Sequence, residues 1–280
     1  MDAFTNASKP FAPIAGGTDL MLDLEQGRYP PVQTLIDVTE IREMLALDIR
    51  DEYLFIGASV PVNRIALDPL TVKHAQALTE ACNLIAGPQV RNVATLGGNV
   101  AHALPAADGT IALLALDAQV EVADASGNRR IPLKDMFVGP GKSSLKQGEE
   151  LIVGFHLSLS KGRQASCFKR IMRPQGIALP ILNCAVWLER EKNVINDICI
   201  AVGPGGGTPF RATDAEIILS GGSLDDETFR CALDSLLTQA QFRTSPHRAS
   251  ADYRGHLVDG LFRHTLEEAW SRASHSNELR

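Results

Sequence analysis

The sequence predicts a two-domain α+β protein. The chain has 280 residues, which is a two-domain length at roughly 150 residues per domain. A polar, glycine-containing break at residues 160–163 separates two halves of different character. Beyond the break, strand-like segments are followed by helical ones, an order typical of an α+β domain. We therefore place the two domains at residues 1–160 and 161–280.

Glycines and prolines divide the first half into short elements. An apolar run at residues 12–15 ends at Gly16-Gly17, and Thr18 can cap the helix that follows. Pro61 can open a helix, and Gly87-Pro88 ends a later one. The other predicted elements of this half are strands at 34–38, 53–57, 118–123, 129–133 and 150–156 and helices at 72–86 and 110–116.

The second half reads as strands and then helices. Apolar segments rich in β-branched residues predict its strands, and apolar residues at helical spacing predict its helices. Residues 190–192 form a plausible hairpin turn between the second and third strands. The predicted elements are strands at 166–172, 180–189 and 193–202 and helices at 211–219, 226–240 and 248–274.

Composition and charge exclude several classes of protein. The chain is 45% hydrophobic and 21% charged, which is ordinary for a globular protein and unlike a disordered tail, a fibre or a disulfide scaffold. Its net charge is −6. Nucleic-acid binding requires a basic face, and no dense run of lysine and arginine supplies one. We expect no nucleic-acid partner.

Membrane insertion is not expected either. The longest stretch without charged side chains is residues 92–107, and glycine, histidine and proline interrupt it. A spanning helix needs about 20 mostly apolar residues. The N-terminal segment is largely polar and lacks the pattern of a secretory signal.

The cysteines predict buried thiols in a reducing, cytoplasmic setting. Their number is odd and their spacing is wide, which does not fit a disulfide framework. No pair has the spacing of a zinc site or an iron–sulfur cluster. If the chain handles electrons, an iron–sulfur cluster must lie on another chain. The cysteines are Cys82, Cys167, Cys184, Cys199 and Cys231.

Two glycine pairs are the strongest local signals of function. Segments 15–20 and 95–99 each place two glycines beside a threonine, and glycine lets backbone N–H groups surround an anion where a Cβ would intrude. Either pair alone is more often a turn. Neither has the G-x-G-x-x-G spacing of a Rossmann fold, and Met136 stands where a P-loop ending at Gly141-Lys142-Ser143 needs glycine. Together, two such loops can hold the two phosphates of a dinucleotide.

Longer segments resemble a known family. AGGTDLM at 15–21 and ATLGGNVAHALPAADGTIALLALDA at 94–118 are similar to the two flavin-binding segments of the FAD-containing medium subunit of molybdenum hydroxylases, of the xanthine dehydrogenase and carbon monoxide dehydrogenase type. IAGPQVRNVATLGGN at 85–99 resembles the xanthine dehydrogenase branch especially closely. Counterparts continue through FKR at 168–170, IAVGPGGGTPFRATDAE at 200–216 and SADYRGHLVDGLFRHTL at 250–266, so the resemblance covers nearly the whole chain in order.

The resemblance implies the two-subdomain FAD-binding fold of the vanillyl-alcohol oxidase (PCMH) type, with subdomains at about 1–52 and 53–160. A small α+β domain of the CO dehydrogenase flavoprotein type follows. The first loop would wrap the FAD pyrophosphate, and the second would line the other side of the phosphates and the ribityl chain. The implied cofactor-binding residues of these loops are Ile14, Ala15, Gly16, Gly17, Thr18, Asp19, Leu20, Thr95, Gly97, Gly98 and Asn99.

Four further positions have implied roles at the FAD, each with an alternative. Asp108 would bind the adenosine portion, where a carboxylate could accept bonds from ribose hydroxyls, or it could cap the following helix. His102 could touch the flavin side of its loop or be structural. Ile152 would pack near the isoalloxazine or belong to the core. Lys169 would favour the anionic reduced flavin, with Arg170 and Arg173 adding to the field, or these cations could be solvated.

The chain departs from the family pattern in three places. Only about fourteen residues precede the first glycine loop, so we expect a shortened N-terminal subdomain that leans on a partner. Gly176 stands where relatives often carry an acidic residue, which puts a carboxylate contact near the flavin in doubt and could alter the choice of electron acceptor. The cysteine-bearing insertion of some relatives is absent.

The resemblance implies an oxidoreductase subunit that does not touch the organic substrate. A molybdopterin-binding large subunit would convert the substrate, a small subunit with 2Fe-2S clusters would relay electrons, and FAD on this chain would pass them to NAD⁺ or another acceptor. We therefore name no catalytic base, nucleophile or metal ligand. Two alternatives stay open: a flavin-free assembly or scaffold subunit, and a standalone flavin oxidase. A non-flavin nucleotide-binding module is a third and more remote one.

Overall fold

The computed structural model describes residues 2–173, 179–246 and 248–275. The first part of the chain holds a parallel pair of strands, a five-stranded antiparallel sheet and a small hairpin. The second part holds a four-stranded antiparallel sheet, followed along the chain by three helices. The predicted α+β class is confirmed.

The first part alternates short strands with short helices. Its strands are β1 (Phe11–Ile14), β2 (Thr34–Asp37), β3 (Leu47–Arg50), β4 (Tyr53–Gly57), β5 (Gln119–Asp124), β6 (Gly127–Pro132), β7 (Phe137–Gly139), β8 (Lys142–Ser143) and β9 (Leu151–Ser158). Its helices are α1 (Asp2–Asn6), α2 (Leu20–Glu25), α3 (Val62–Leu67), α4 (Pro69–His74), α5 (Gln76–Leu84), α6 (Pro88–Arg91), α7 (Leu96–Ala101) and α8 (Asp108–Ala115), with 3₁₀ turns at Glu43–Leu45 and Leu133–Met136.

Two sheets organise this part. β1 and β2 run parallel around α2, and the Val38 N–H extends the pairing by donating to the Ile14 carbonyl. The larger sheet has the order β3-β4-β9-β5-β6. β3 pairs with β4, with Leu47 opposite Ile56, although the resemblance implies that they belong to different subdomains. The division into subdomains at about 1–52 and 53–160 stays a prediction.

The second part is a sheet covered on both faces. Its elements are β10 (Gln164–Met172), β11 (Pro180–Glu191), β12 (Val194–Gly203), β13 (Phe210–Arg211), α9 (Thr213–Leu219), α10 (Asp226–Gln239) and α11 (Ala251–His275), with the strands in the order β10-β11-β12-β13. Side chains alternate between two cores because successive strand residues point to opposite faces. Phe168 and Ala185 join the core of the first part, whereas Cys167 and Cys184 join a second core with the three helices.

Helix α8 connects the two parts. All eight of its residues are buried, and it packs against α5 and α7 on one side and β11 and β12 on the other. Gly203 permits this close packing, since a Cβ there would lie 2.8 Å from Ile111 Cγ1 and 2.4 Å from Asn183 Oδ1. The segment between the second glycine pair and α8 is thereby held by both parts of the chain.

Two local predictions are wrong. Thr18 does not cap α2: the N-cap is Asp19, and its side chain makes no capping bond. The turn at Gly17 (φ +66°) delays the helix by one residue. The single helix expected at 72–86 is two helices, α4 and α5, because the backbone leaves the helical region at Ala75 (φ −143°).

The long helix α11 is amphipathic. Val258, Phe262 and Ala269 are buried in the second core, whereas Asp259 and Glu267 are exposed on its other face. In the ranges that the structure describes, no helix combines the length and the apolar character needed to cross a bilayer.

Four of the five cysteines are core thiols. Cys82, Cys167, Cys184 and Cys199 are buried, and burial raises the pKa of the last three to about 12. Thiols with such pKa values are protonated at neutral pH and unreactive. The prediction of buried thiols is wrong for Cys231, which is exposed on α10.

A buried histidine is expected to make the fold sensitive to acid. His156 on β9 is 1% exposed, and its Nε2–H donates to Glu121 Oε2 at 2.6 Å. Burial lowers the pKa of His156, and the bond to Glu121 opposes that shift only in part. The folded state therefore favours the neutral ring. Its contribution to stability is complete above the unfolded pKa of about 6.5 and is lost as pH falls from there towards the lower folded pKa.

We expect the urea midpoint of unfolding to fall as pH is lowered from about 7 to about 5. The His156→Phe variant keeps an aromatic ring beside Phe55 but cannot take up a proton, so its midpoint should fall less over the same range. An equal fall in the two proteins would show that other groups cause the acid sensitivity. Parallel urea titrations at several pH values make the comparison.

Candidate functional site

The first glycine loop, residues 14–20, connects β1 to α2. Gly17 adopts φ +66°, and the Met21 N–H closes the turn by donating to the Gly17 carbonyl at 3.0 Å. Gly16 packs directly against the backbone of Val93 and Ala94, which lead into the second glycine loop. A Cβ at Gly16 would lie 2.0 Å from the Val93 carbonyl oxygen. The loop can therefore reach this position only with glycine at residue 16.

Consecutive backbone N–H groups of this loop are free to bind a ligand. Within the described part of the chain, the N–H groups of residues 16–20 have no hydrogen-bond acceptor. They stand at the start of α2, where the helix dipole also favours negative charge. Such a run of unpaired donors is a typical site for an anion such as phosphate.

The second glycine loop, residues 95–102, consists of α7 and its two capping residues and is fixed at its N-terminal end. Thr95 is the N-cap, and its Oγ1 accepts from the Gly98 N–H at 3.1 Å. The Gly97 N–H donates to the Ala58 carbonyl at 2.9 Å, and a Cβ at Gly97 would lie 2.6 Å from that oxygen. Gly97 is thus buried against the end of β4, while Gly98 is exposed.

Asn99 connects this loop to α8. Its side-chain Oδ1 accepts from the Thr110 N–H at 3.0 Å and from the Thr110 hydroxyl at 3.1 Å. Asn99 thereby satisfies a free donor in the first turn of α8, the task of a capping residue. The predicted alternative for Asp108, capping of this helix, is wrong because the N-cap is Ala107 and Asp108 lies within the helix.

His102 joins the two loops. Its Nε2–H donates to Asp23 Oδ2 on α2 at 3.1 Å, and its Nδ1 lies 3.7 Å from Asp19 Oδ2. Asp23 also pairs with Arg28 at 2.9 Å. These contacts hold α7 against α2, which agrees with the predicted structural role of His102. Its contact with a flavin stays a prediction.

Asp108 lies in a buried cluster that spans the two parts of the chain. Its side chain is 5% exposed. Oδ2 accepts from Arg170 Nη1 at 2.5 Å, and Oδ1 accepts from Asn183 Nδ2 at 2.7 Å. Burial raises the pKa of the Asp108 carboxyl, and Arg170 and Asn183 oppose that rise. We call Asp108, Arg170 and Asn183 the Asp108 cluster.

Asn183 is not among the residues predicted for the site, and Arg170 is predicted only as a cation near the flavin. Asn183 lies in an apolar strand and is 0% exposed. The sequence signal for Asn183 was a single asparagine in an apolar strand. A buried amide needs hydrogen-bond partners, and its sequence neighbours supply none. The binding of adenosine by Asp108 stays a prediction.

Ile152 and Lys169 lie apart from the two loops. Ile152 is buried within the first core on β9. Lys169 lies on β10 between Cys167 and Ile171, whose side chains pack into the second core. The Lys169 side chain therefore leaves the strand on that face, opposite the side chain of Arg170. The side chain of Lys169 has no hydrogen bond or ion pair with any described residue. The proposed contacts of both residues with the flavin stay predictions.

The segment after β10 is only partly described. Arg173 is exposed and donates to the Arg248 carbonyl at 2.9 Å. Gly176, where relatives carry an acidic residue, lies outside the described residues, as do its neighbours at 174–178. Its effect on the site stays a prediction.

Together these residues supply features that a dinucleotide site requires. The first loop offers unpaired N–H donors, the second lies against it, and Asp108 offers a carboxylate at the end of the connected helix. Val93 and Ala94 bring the loops into contact. In the residues described, no cluster of histidine, cysteine and acidic side chains could hold a metal ion.

Comparisons with protein families match both parts of the chain. The family described as the FAD binding domain in molybdopterin dehydrogenase matches residues 2–158. The CO dehydrogenase flavoprotein C-terminal domain matches residues 166–269. The predicted order, a FAD-binding domain followed by a C-terminal domain of this type, is confirmed.

Named relatives align with nearly the full length of this chain. The nicotine 6-hydroxylase medium subunit of Paenarthrobacter nicotinovorans is 34% identical over 259 residues, covering 92% of this chain and 89% of the relative. The xanthine dehydrogenase FAD-binding subunit of Escherichia coli O157:H7 is 30% identical over 264 residues, covering 93% and 89%. A chain of carbon monoxide dehydrogenase from Hydrogenophaga pseudoflava superposes with a TM-score of 0.90 at 25% identity, covering 97% of this chain and 93% of that one.

Proposed function

Because this chain belongs to the FAD-binding medium subunits of the molybdopterin dehydrogenases, we propose that its two glycine loops bind the FAD pyrophosphate and that it carries electrons within a larger complex. The observation that carries the proposal is the run of unpaired N–H donors at residues 16–20. Gly16, which begins this run, and Gly97 in the second loop both lie where a side chain would clash with neighbouring backbone atoms. This arrangement has the donors and the space that a diphosphate requires.

Each residue of the site has a stated task in this proposal. Residues 15–20 wrap the pyrophosphate, and Ile14 is a further cofactor contact. Thr95, Gly97, Gly98 and Asn99 line the other side of the pyrophosphate and the ribityl chain. Asp108 accepts hydrogen bonds from the ribose of the adenosine. His102 keeps the two loops together, and its bond to Asp23 supports that task.

Ile152 and Lys169 are proposed to act at the flavin ring. Ile152 would contribute apolar surface near it. Lys169 would supply a positive charge that favours the anionic reduced form. The absence of an ion-pair partner for the Lys169 side chain among the described residues leaves its charge available for this task.

When bound, FAD supplies a carrier that accepts electrons singly and releases them as a pair. The chain itself binds and orients the cofactor, and no residue of the site is proposed to act as a base or a nucleophile. The organic substrate is converted elsewhere in the complex, on a molybdopterin-binding large subunit. A small subunit with 2Fe-2S clusters delivers the electrons, and NAD⁺ or another acceptor receives them. The free cysteines support a reducing, cytoplasmic setting.

Reconstitution tests this assignment. The FAD-loaded chain is mixed with its large and small subunits and an oxidisable substrate of the complex, and the visible absorbance of the flavin is followed in the absence of oxygen. We expect the flavin to be reduced only when all three subunits are present, and added NAD⁺ to reoxidise it if NAD⁺ is the acceptor.

Two outcomes would contradict the proposal. Reduction of the flavin by an organic substrate without the partner subunits would indicate a standalone flavin oxidase. An active complex in which this chain contains no FAD would indicate an assembly subunit.

A further inference from the structure

The Asp108 cluster contains more buried polar atoms than its own hydrogen bonds satisfy. Arg170 Nη1 and Asn183 Nδ2 donate to the two oxygens of Asp108, and Asn183 Nδ2 also donates to the Ala106 carbonyl at 3.1 Å. Arg170 Nε and Asn183 Oδ1 are buried and have no partner among the described residues. Since unpaired buried polar atoms are costly and uncommon, their presence here points to a function for the cluster.

The cluster joins residues that are far apart in the sequence. Asp108 begins α8, whereas Arg170 lies on β10 and Asn183 on β11. α8 is in turn bonded to the second glycine loop through Thr110 and Asn99. The second part of the chain therefore sets the position of the carboxylate beside the loops of the first part.

Asp108 can accept additional hydrogen bonds. A carboxylate has about four lone-pair directions, and the cluster uses one at each oxygen. Without a cation, burial would favour the neutral acid, which is a weaker acceptor. Arg170 supplies that positive charge.

We propose that Arg170 and Asn183 are positioning residues for the adenosine end of FAD. They hold the Asp108 carboxylate ionised and in one orientation, so that its remaining lone pairs accept hydrogen bonds from the ribose hydroxyls. The inference rests on the proposed function, because it assumes that FAD binds at the two loops. It adds that affinity for FAD depends on residues of the second part of the chain that act through Asp108.

A double-mutant cycle on the full-length chain tests this inference. FAD dissociation constants are measured by flavin fluorescence for the wild type, Arg170→Met, Asp108→Asn and the double variant, below the melting temperature of each. Arg170→Met should raise the dissociation constant about ten-fold in the wild-type background, since a hydrogen bond to a charged group is lost. In the Asp108→Asn background, Arg170→Met should leave the FAD dissociation constant unchanged. Arg170→Lys, which keeps the charge, should restore most of the affinity.

Arg211 supplies a control in which a more exposed ion pair between the two parts, and the bond of Arg211 to Glu216, are removed. It also joins the second part of the chain to an aspartate of the first, with Arg211 Nη1 at 2.5 Å from Asp117 Oδ1, but Asp117 follows the other end of α8. Arg211→Met should lower the melting temperature and leave the FAD dissociation constant unchanged. This control separates loss of an ion pair between the two parts from loss of the bond to Asp108.

The outcomes separate this inference from the proposed function. If Arg170→Met leaves FAD affinity unchanged, or weakens it equally in the wild-type and Asp108→Asn backgrounds, the inference is wrong. An equal weakening by Arg211→Met would also overturn it. If the wild type takes up no FAD, alone or within the co-expressed complex, the proposed function itself fails.

Discussion

The Gly16→Ala variant is expected to lose FAD binding. An added Cβ would lie 2.0 Å from the Val93 carbonyl oxygen, 2.7 Å from its carbonyl carbon and 2.9 Å from Ala94 Cα. All three are backbone atoms, so no side chain can rotate to relieve the clash. The two glycine loops would have to separate, which would move the free N–H donors away from the second loop. We expect the FAD dissociation constant to rise about 100-fold or more, equivalent to about 3 kcal/mol.

Titration of the purified variant with FAD, followed by flavin fluorescence, measures this effect. Gly255→Ala is the matched control, because Gly255 lies within α11 and a Cβ there would meet no atom within 4 Å. That variant should bind FAD as the wild type does and be slightly more stable, since alanine favours a helix. Affinity close to the wild-type value in folded Gly16→Ala would show that contact between the loops is not required for binding.

The Leu96→Ala variant is expected to lose both stability and FAD affinity. Leu96 belongs to the second glycine loop, and its side chain is 0% exposed. Its Cδ1 lies 2.9 Å from where a Cβ of Gly109 would be, so it fills the space between the loop and α8. Removing a buried leucine side chain costs about 2–5 kcal/mol, a large part of the 5–15 kcal/mol that holds a typical domain folded. The cavity also removes the support of the loop.

Leu236→Ala separates these two effects. Leu236 is likewise 0% exposed but lies in the second core, on α10. Denaturant unfolding should show a similar loss of stability in both variants. Only Leu96→Ala should weaken FAD binding by the folded protein. Equal FAD affinities in the two folded variants would mean that Leu96 acts on stability alone.

Local patterns were sufficient to predict many elements. The hairpin expected at 118–123 and 129–133 is β5 and β6, and the strand expected at 53–57 is β4. These segments alternate apolar and polar residues or are bounded by turn residues, so a short window contains the necessary information. The two glycine pairs were also recognisable in the sequence. The structure gives the reason for glycine at Gly16 and Gly97, where a Cβ would clash with nearby backbone atoms.

Tertiary partners were not predictable in the same way. Asp108 meets Arg170 and Asn183 only because β10 and β11 pair in a register that places Arg170 opposite Asn183, and because α8 packs against β11. The partners are separated by 62 and 75 positions in the sequence. No spacing rule connects residues so far apart. The helix-capping interpretation of Asp108 used local information alone, and it is wrong for that reason.

Edge strands were missed for a related reason. β3 is short and carries Asp48 and Arg50, so its composition does not identify it as a strand. It forms because the exposed edge of β4 accepts a partner, with Leu47 opposite Ile56 and Arg50 opposite Tyr53. A strand stabilised by its neighbour is determined by the sheet rather than by its own residues.

The most direct test of the account is the visible absorption spectrum of the purified full-length chain during titration with FAD, with FMN as the control. We predict a flavin spectrum that saturates with FAD and not with FMN, because FMN lacks the diphosphate and the adenosine that the loops and Asp108 are proposed to bind. If the isolated chain takes up no FAD, the titration is repeated on the complex co-expressed with its partner subunits. Absence of FAD from both would contradict the assignment of this chain as the flavin-binding subunit.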